Sequence, residues 1–524
     1  MKEWGLGAFL LASVISIGVA VVWWTQEANT STQEDLDGQA LYETQCAACH
    51  GIRGDGKGTA AYLLQPKPRR FRAGRFRLVS SDNGQPTRED LFRTLSEGMP
   101  GTGMPSWSQL SEEQRWSLVD YVLKLQREGW IEISQAEGES KEEGERFAQE
   151  MAQPGNPLSI PAEPEASAQD LAKGRKLYQT NCANCHGKQG EGMRDPSWRN
   201  FEGFPIWARD LRRGVFKGGR DSRQLYLRIA AGLPGTPMPA AGVTGEEIWH
   251  IVHYVQSLSD PSAQERALIR PKELTAAKRA SLPSGPDDPA WEGVAEVRVP
   301  FLPLWWREGI VEEVRVRLAH DGQRVAFLLQ WDDSTRDVET ASQTRFPDGA
   351  AIQLSSEASP PLFAMGSKGH EVNIWHWKAA WEEDSKVRQG PETAFPRLTA
   401  DAYYGVEKGW KSGPLEDNLF LPAIQLDNSV ARTERPNSIE DDNAAGLGTL
   451  TPQAPPFQNV KGQGEWRDGV WRLQITRDLD GQGERDVKLS AGQASVAFAI
   501  WNGSAGDRNG QKAVSIWNTL RLHD

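Results

Sequence analysis

The chain has 524 residues, 38% of them hydrophobic and 25% charged, with a formal net charge of −12. That length predicts several domains, the composition excludes a disordered or fibrous chain, and the charge argues against a nucleic-acid binder, which needs a basic surface. Four cysteines are too few for a disulfide-built scaffold, and the 21 tryptophans, more than half of them in the C-terminal half, predict aromatic packing around something flat or large.

From Trp4 to Thr25 the sequence is uncharged and mostly apolar. The run is long enough to span a bilayer and longer than the core of a signal peptide. Trp23 and Trp24 close it, where an interfacial aromatic belt would lie. The expectation is a transmembrane helix over 1–27 that anchors an exported protein. Cleavage near the small residues Gly18 and Ala20 is the alternative.

An internal duplication follows. Residues 37–51 read DGQALYETQCAACHG and 173–187 read KGRKLYQTNCANCHG. EGMPGTGMPS (97–106) matches AGLPGTPMPA (231–240), and residues 110–125 match 243–258, pairing Trp116 with Trp249 and Tyr121 with Tyr254. The last pair of segments has apolar residues at helical spacing, so each predicts an amphipathic helix packed on its own domain.

Each copy carries Cys-x-x-Cys-His: Cys46, Cys49 and His50, then Cys182, Cys185 and His186. That spacing puts two thiols on one turn, where they can add to the vinyl groups of a haem while the histidine meets the iron. A zinc ribbon or a redox dithiol fits poorly, because each pair is followed by His and no other cysteine exists. A thioether suits the opposite axial position. Met99 and Met104 compete in the first copy, but Met99 falls opposite Leu233 and Met104 opposite Met238. Met104 and Met238 are therefore the expected ligands. His250 and His253 fall opposite Ser117 and Asp120, which predicts a helix-face role for both.

On these motifs, residues 35–127 and 168–259 resemble class I, mono-haem cytochrome c domains. The resemblance implies two all-α bundles, each around a covalent haem c. Arg70, Arg72, Arg209 and Arg213, in the loops between motif and methionine, either neutralise haem propionates or form a solvated basic surface. Residues 128–167, rich in Glu, Ser, Gln and Pro, predict a linker, and 260–285 a second one.

From residue 286 the pattern changes to short alternating strands, which predict an antiparallel β-sandwich. Hairpins are expected in 311–333, turning at Asp321-Gly322, and in 465–479, turning at Asp468-Gly469. Further strands are expected in 350–356, 371–381, 494–501 and 513–522, and long loops over 383–464. No nucleophile–base pair or metal-ligand cluster is apparent, and His320, His370, His376 and His523 are dispersed.

The runs PLFAMGSKGHEVNIWHWKAAW (361–381), DPAWEGVAEVRVP (288–300) and GQKAVSIWNTLRL (510–522) resemble the ethylbenzene-dehydrogenase-type haem-binding domain. That family provides the γ subunits of periplasmic molybdenum oxidoreductases, including chlorate, selenate and nitrite/nitrate enzymes. The resemblance implies a non-covalent haem b held by Met365 and Lys512, with His376 and His370 as fallback ligands. A lysine binds iron only when neutral, so its pKa must fall. The whole chain then reads as a multidomain, membrane-anchored, periplasmic electron-transfer subunit with two haem c and one haem b. It would relay electrons between the iron–sulfur and molybdenum catalytic subunits and a soluble cytochrome, a membrane oxidase or a quinone-linked complex, with no catalysis of its own. The alternatives are a free-standing relay, or a dihaem carrier whose sandwich binds a carbohydrate or a protein.

Overall fold

The computed structural model describes residues 37–305, 310–339, 344–357, 360, 365–386 and 437–522. The apolar run from Trp4 to Thr25 lies outside them. Among the described residues no helix is long and apolar enough to cross a membrane.

The first repeat is built from α1 (Gly38–Gln45), α2 (Ala47–His50), α3 (Arg88–Glu97) and α4 (Glu112–Ala136). After α5 (Lys141–Ala152), the second repeat follows with α6 (Ala168–Asn181), α7 (Ala183–His186), α8 (Ser222–Ala231) and α9 (Gly245–Ser257). Helix starts are set by reciprocal capping pairs: Thr87 with Asp90, Ser111 with Gln114, Ser167 with Asp170, and Thr244 with Glu247. In both repeats the first and last helices cross at a glycine. A Cβ on Gly38 would collide with the Ser117 carbonyl, and one on Gly174 with the His250 carbonyl. Behind each crossing a buried tyrosine donates to the turn after the motif histidine, Tyr42 to Gly51 O at 2.7 Å and Tyr178 to Gly187 O at 2.8 Å.

The stretch expected as a linker over 128–167 is helical for most of its length. α4 runs on to Ala136, and α5 folds back against it, with Trp130 meeting Phe147 edge-on at 6.0 Å and Ala148 buried. Its apolar stripe is narrow and interrupted by glutamates, which hides the helical period. The remaining segment laces the repeats together, as Leu158 N donates to Ser80 O (2.8 Å) and Trp249 Nε1 to Pro161 O (3.1 Å).

The C-terminal domain contains β1 (Glu273–Lys278), β2 (Val297–Pro300), β3 (Leu302–Pro303), β4 (Glu313–His320), β5 (Arg324–Asp332), β6 (Gly349–Ser355) and β7 (Val372–Lys378). It continues with β8 (Ile439–Ala444), β9 (Thr451–Pro452), β10 (Lys461–Arg467), β11 (Val470–Asp478), β12 (Gln493–Trp501), β13 (Ala513–Val514) and β14 (Asn518–Leu522). The order β10-β11-β5-β4-β1-β14-β12-β6-β7-β8-β9 folds into two faces joined at β1. Pairing is antiparallel except at β1, which runs parallel to both β14 and β4. β1 belongs to the stretch expected as the second linker. The hairpin turn of Asp468 and Gly469 has φ of 53° and 76°, the mirror-image geometry that matches strand twist.

Four tryptophans, Trp331, Trp375, Trp377 and Trp471, fill the space between the faces, while Trp381 and Trp501 line a cavity of the sandwich. Trp377 packs edge-on against Trp331 (6.1 Å) and Trp471 (5.0 Å), and Trp375 against Phe327 (5.7 Å). β8 lies in the stretch expected as loops and reads IEDDNA, yet every residue in it is buried. Asp441 accepts from Asn373 Nδ2 (2.6 Å) and Gln453 Nε2 (3.0 Å), whereas the Asp442 carboxylate finds no hydrogen-bond partner among the described residues and burial pushes its pKa up to about 8.

The first repeat shares a core with the sandwich. Leu64 and Cys49 pack with Leu302, Leu304, Val514 and Ile516, and Gln65 N donates to Leu304 O at 2.8 Å. The second repeat meets the sandwich through an exposed ion pair, Arg213 with Glu312.

Burial, and then the neighbouring Asp333, push the pKa of Asp348 up to about 7 from 3.8. The native state therefore holds a proton that the unfolded chain releases, so this group's penalty is absent below pH ~4 and complete above pH ~7. The carboxylate accepts from Asp337 N (2.8 Å), Gly503 N (2.8 Å) and Trp471 Nε1 (3.0 Å), and an amide can accept only through its one oxygen, so Asp348→Asn is expected to destabilise the sandwich at both pH values, and by less at pH 8 than at pH 4. Urea unfolding at both pH values checks this, and an equal effect at both would contradict it.

Candidate functional site

In each repeat the motif begins in the last turn of one helix and continues through a four-residue helix that ends on the histidine. The ring nitrogen Nδ1 of His50 lies 2.8 Å from Arg69 O, and that of His186 lies 3.2 Å from Arg209 O. A carbonyl only accepts, so Nδ1 carries the proton and Nε2 keeps its lone pair for a metal. Burial lowers the pKa of both rings, that of His50 to about 4, which keeps them neutral. None of the four cysteines is in a disulfide.

The methionine turn repeats bond for bond. Met99 N donates to Met104 O and Leu233 N to Met238 O, both at 3.0 Å. Met104 N and Met238 N donate to Thr102 and Thr236 Oγ1, both at 3.2 Å. In the first repeat His50, Met104, Cys46 and Cys49 line one cavity of about 140 Å³, together with Met99. Arg69 and Arg77 also line it, and Arg77, only 7% exposed, has an Nε without an acceptor. An orphaned buried guanidinium beside two thiols and a neutral imidazole suits a covalently held group that carries carboxylates, and a haem has both features.

The four arginines considered for that role are otherwise engaged. Arg72 is clasped by Glu128 and Glu132 of α4, and Arg70 Nε donates to Arg72 O (2.8 Å). Arg213 pairs with Glu312, while Arg209 donates to Pro100 O (3.0 Å) and Val215 O (2.8 Å). Sequence reasoning passed over Arg69 and Arg77. Their only signal was position, one beside the carbonyl that His50 needs and one after the buried Phe76. His250 and His253 are buried on the inner face of α9, near Asp170 and Glu163, away from either motif.

The sandwich holds a second, larger cavity of about 510 Å³. Met365 and Lys512, distant in sequence, both line it, and so does His376. His370 lies outside it, 2.9 Å from Glu357 on the surface. Met365 has φ of +63°, a strained backbone for a residue with a side chain, held by Gly446 N donating to its carbonyl at 2.8 Å. Lys512 Nζ sits 4.6 Å over the Trp501 ring, and no carboxylate reaches it among the described residues. Burial lowers its pKa to about 8, which makes a neutral amine accessible near physiological pH. A thioether, an amine and an imidazole on apolar walls are a donor set that fits an iron porphyrin. Cys49 and Leu64 of the first repeat line this cavity as well as their own.

Met104→Ala is expected to abolish the sulfur-to-iron charge-transfer band of the first repeat, whereas Met99→Leu retains it. Optical spectra of the oxidised proteins check this, and loss of the band in Met99→Leu alone would reverse the assignment.

Three family models match the chain: ethylbenzene dehydrogenase over 288–513, cytochrome c over 171–259, and cytochrome c oxidase, cbb3-type, subunit III over 33–122. The chain is 27% identical to the dimethylsulfide dehydrogenase subunit gamma of Rhodovulum sulfidophilum, over 46% of this chain and 76% of that protein. It is 22% identical to the chlorate reductase subunit gamma of Ideonella dechloratans, over 38% and 60%. With cytochrome c55X of Paracoccus denitrificans it shares 34% identity, over 19% of this chain and 81% of that one.

Proposed function

This chain belongs to the c-type cytochromes and carries an ethylbenzene dehydrogenase domain, and on that premise we propose that it is the multihaem electron-transfer subunit of a molybdenum oxidoreductase. Two covalent haem c and one non-covalent haem b supply one-electron redox chemistry when bound. Cys46, Cys49, His50 and Met104 hold the first group, Cys182, Cys185, His186 and Met238 the second, and Met365 with Lys512 the third. His376 is a further donor within the same cavity.

The observation that carries this reading is the shared wall. Met365 and Lys512 meet at one cavity, and Cys49, an attachment residue of the first repeat, closes part of it. Two cofactor sites separated by single side chains make an electron contact, not two unrelated modules. The sandwich would dock on an iron–sulfur subunit, and the second repeat would face the soluble cytochrome or the membrane acceptor. The apolar run from Trp4 to Thr25 would anchor the assembly on the periplasmic side of the membrane. A sugar-binding sandwich is less supported, because its large tryptophans, Trp331, Trp375, Trp377 and Trp471, are spent between the sheets.

Purification from the native organism is expected to bring down a molybdenum-containing catalytic subunit and an iron–sulfur subunit with this chain. Recovery of the chain with soluble electron carriers alone would contradict the proposal. Met365→Ala is expected to lower acid–acetone-extractable haem at least tenfold, with covalent haem unchanged.

A further inference from the structure

Four cations gather between the two repeats, and among the described residues one carboxylate answers them. Arg69 and Arg77 come from the first repeat, Arg209 and Lys217 from the second. They are equivalent pairs: Arg69 and Arg209 present the carbonyls that fix His50 and His186, and Phe76-Arg77 aligns with Phe216-Lys217. Yet Lys217 reaches across to the other repeat. It lines the first repeat's cavity, beside Arg69 and Arg77.

Glu202 is the acid present, 3.5 Å from Arg69. Arg77 is buried with its Nε unpartnered, and Lys217 makes no hydrogen bond or ion pair among the described residues. Half-buried at the cavity wall, its amine is repelled by Arg77, Arg209 and Arg69. Buried cations without anions are strongly disfavoured, so such a cluster calls for negative charge from elsewhere. The cavity that these side chains face is the one lined by Cys46, Cys49, His50 and Met104.

We propose that Lys217, with Arg69 and Arg77, binds the carboxylates of the group attached at Cys46 and Cys49, so that the second repeat completes the first repeat's site and tunes its reduction potential. The inference rests on the covalent-haem reading of the first repeat. Lys217 is a positioning and tuning residue, since it acts on the iron through charge. A nearby cation favours the reduced iron, which carries one positive charge fewer, and a nearby anion favours the oxidised one.

The test is a spectroelectrochemical titration of the full chain, with the two covalent centres told apart by their shifts in Met104→His and Met238→His backgrounds. Lys217→Met is expected to lower the first centre's reduction constant by about tenfold, or about 59 mV for one electron. The second centre moves less than twofold. Lys217→Arg restores the first, and Glu202→Gln, which removes charge with little change in shape, moves it upward. An unmoved first centre in both Lys217→Met and Glu202→Gln, with covalent haem present, would overturn the proposal alone. Absence of covalent haem from the unaltered chain would overturn the reading beneath it.

Discussion

Leu64 is the residue on which the arrangement turns. It is 6% exposed, and it lines the first repeat's cavity, the sandwich's cavity and the apolar cluster that joins the two domains. Burial of that one short segment brings the Cys49 turn against the strands that carry Val514 and Leu304. Leu63 meanwhile sits against Gly510, two residues before Lys512. The hydrophobic contact that holds the domains together is thus also the partition between their two cavities. Evolutionary loss of that packing would separate both the domains and the redox groups at once.

Around this contact the order of the parts is linear. The sandwich touches the first repeat through a largely apolar cluster, and the first repeat touches the second through arginines that donate to main-chain carbonyls. Arg228 Nη2, for example, reaches Val79 O at 2.7 Å, and Arg209 Nη1 reaches Pro100 O at 3.0 Å. Apart from the exposed Arg213–Glu312 pair, the second repeat is oriented by the first rather than by the sandwich. A chain built this way has a middle, and the middle is the first repeat.

The cytochrome-like half was legible in the sequence because its chemistry is local. Cys-x-x-Cys-His is one helical turn, and Gly-Thr-x-Met-Pro is one loop, so spacing alone singled out His50, Met104, His186 and Met238, and His50 and Met104 line one cavity. The sandwich site was legible only through family resemblance, since Met365 and Lys512 meet through long-range strand pairing that no local pattern encodes. β8 escaped notice because strand propensity counts aspartate against a strand, whereas here Asn373, Gln453 and Arg477 from other elements compensate the burial of Asp441. α5 escaped because its glutamates masked a narrow apolar stripe. Lys217 was invisible for a third reason: no local pattern says that a loop of one repeat lines the other repeat's cavity.

The measurement that tests the account most directly is a haem count on the purified full chain, by pyridine haemochrome before and after acid–acetone extraction. Two covalent haems and one extractable haem per chain are expected. Two covalent haems and none extractable, from cells grown with ample haem, would contradict the central claim that the sandwich cavity is a redox site.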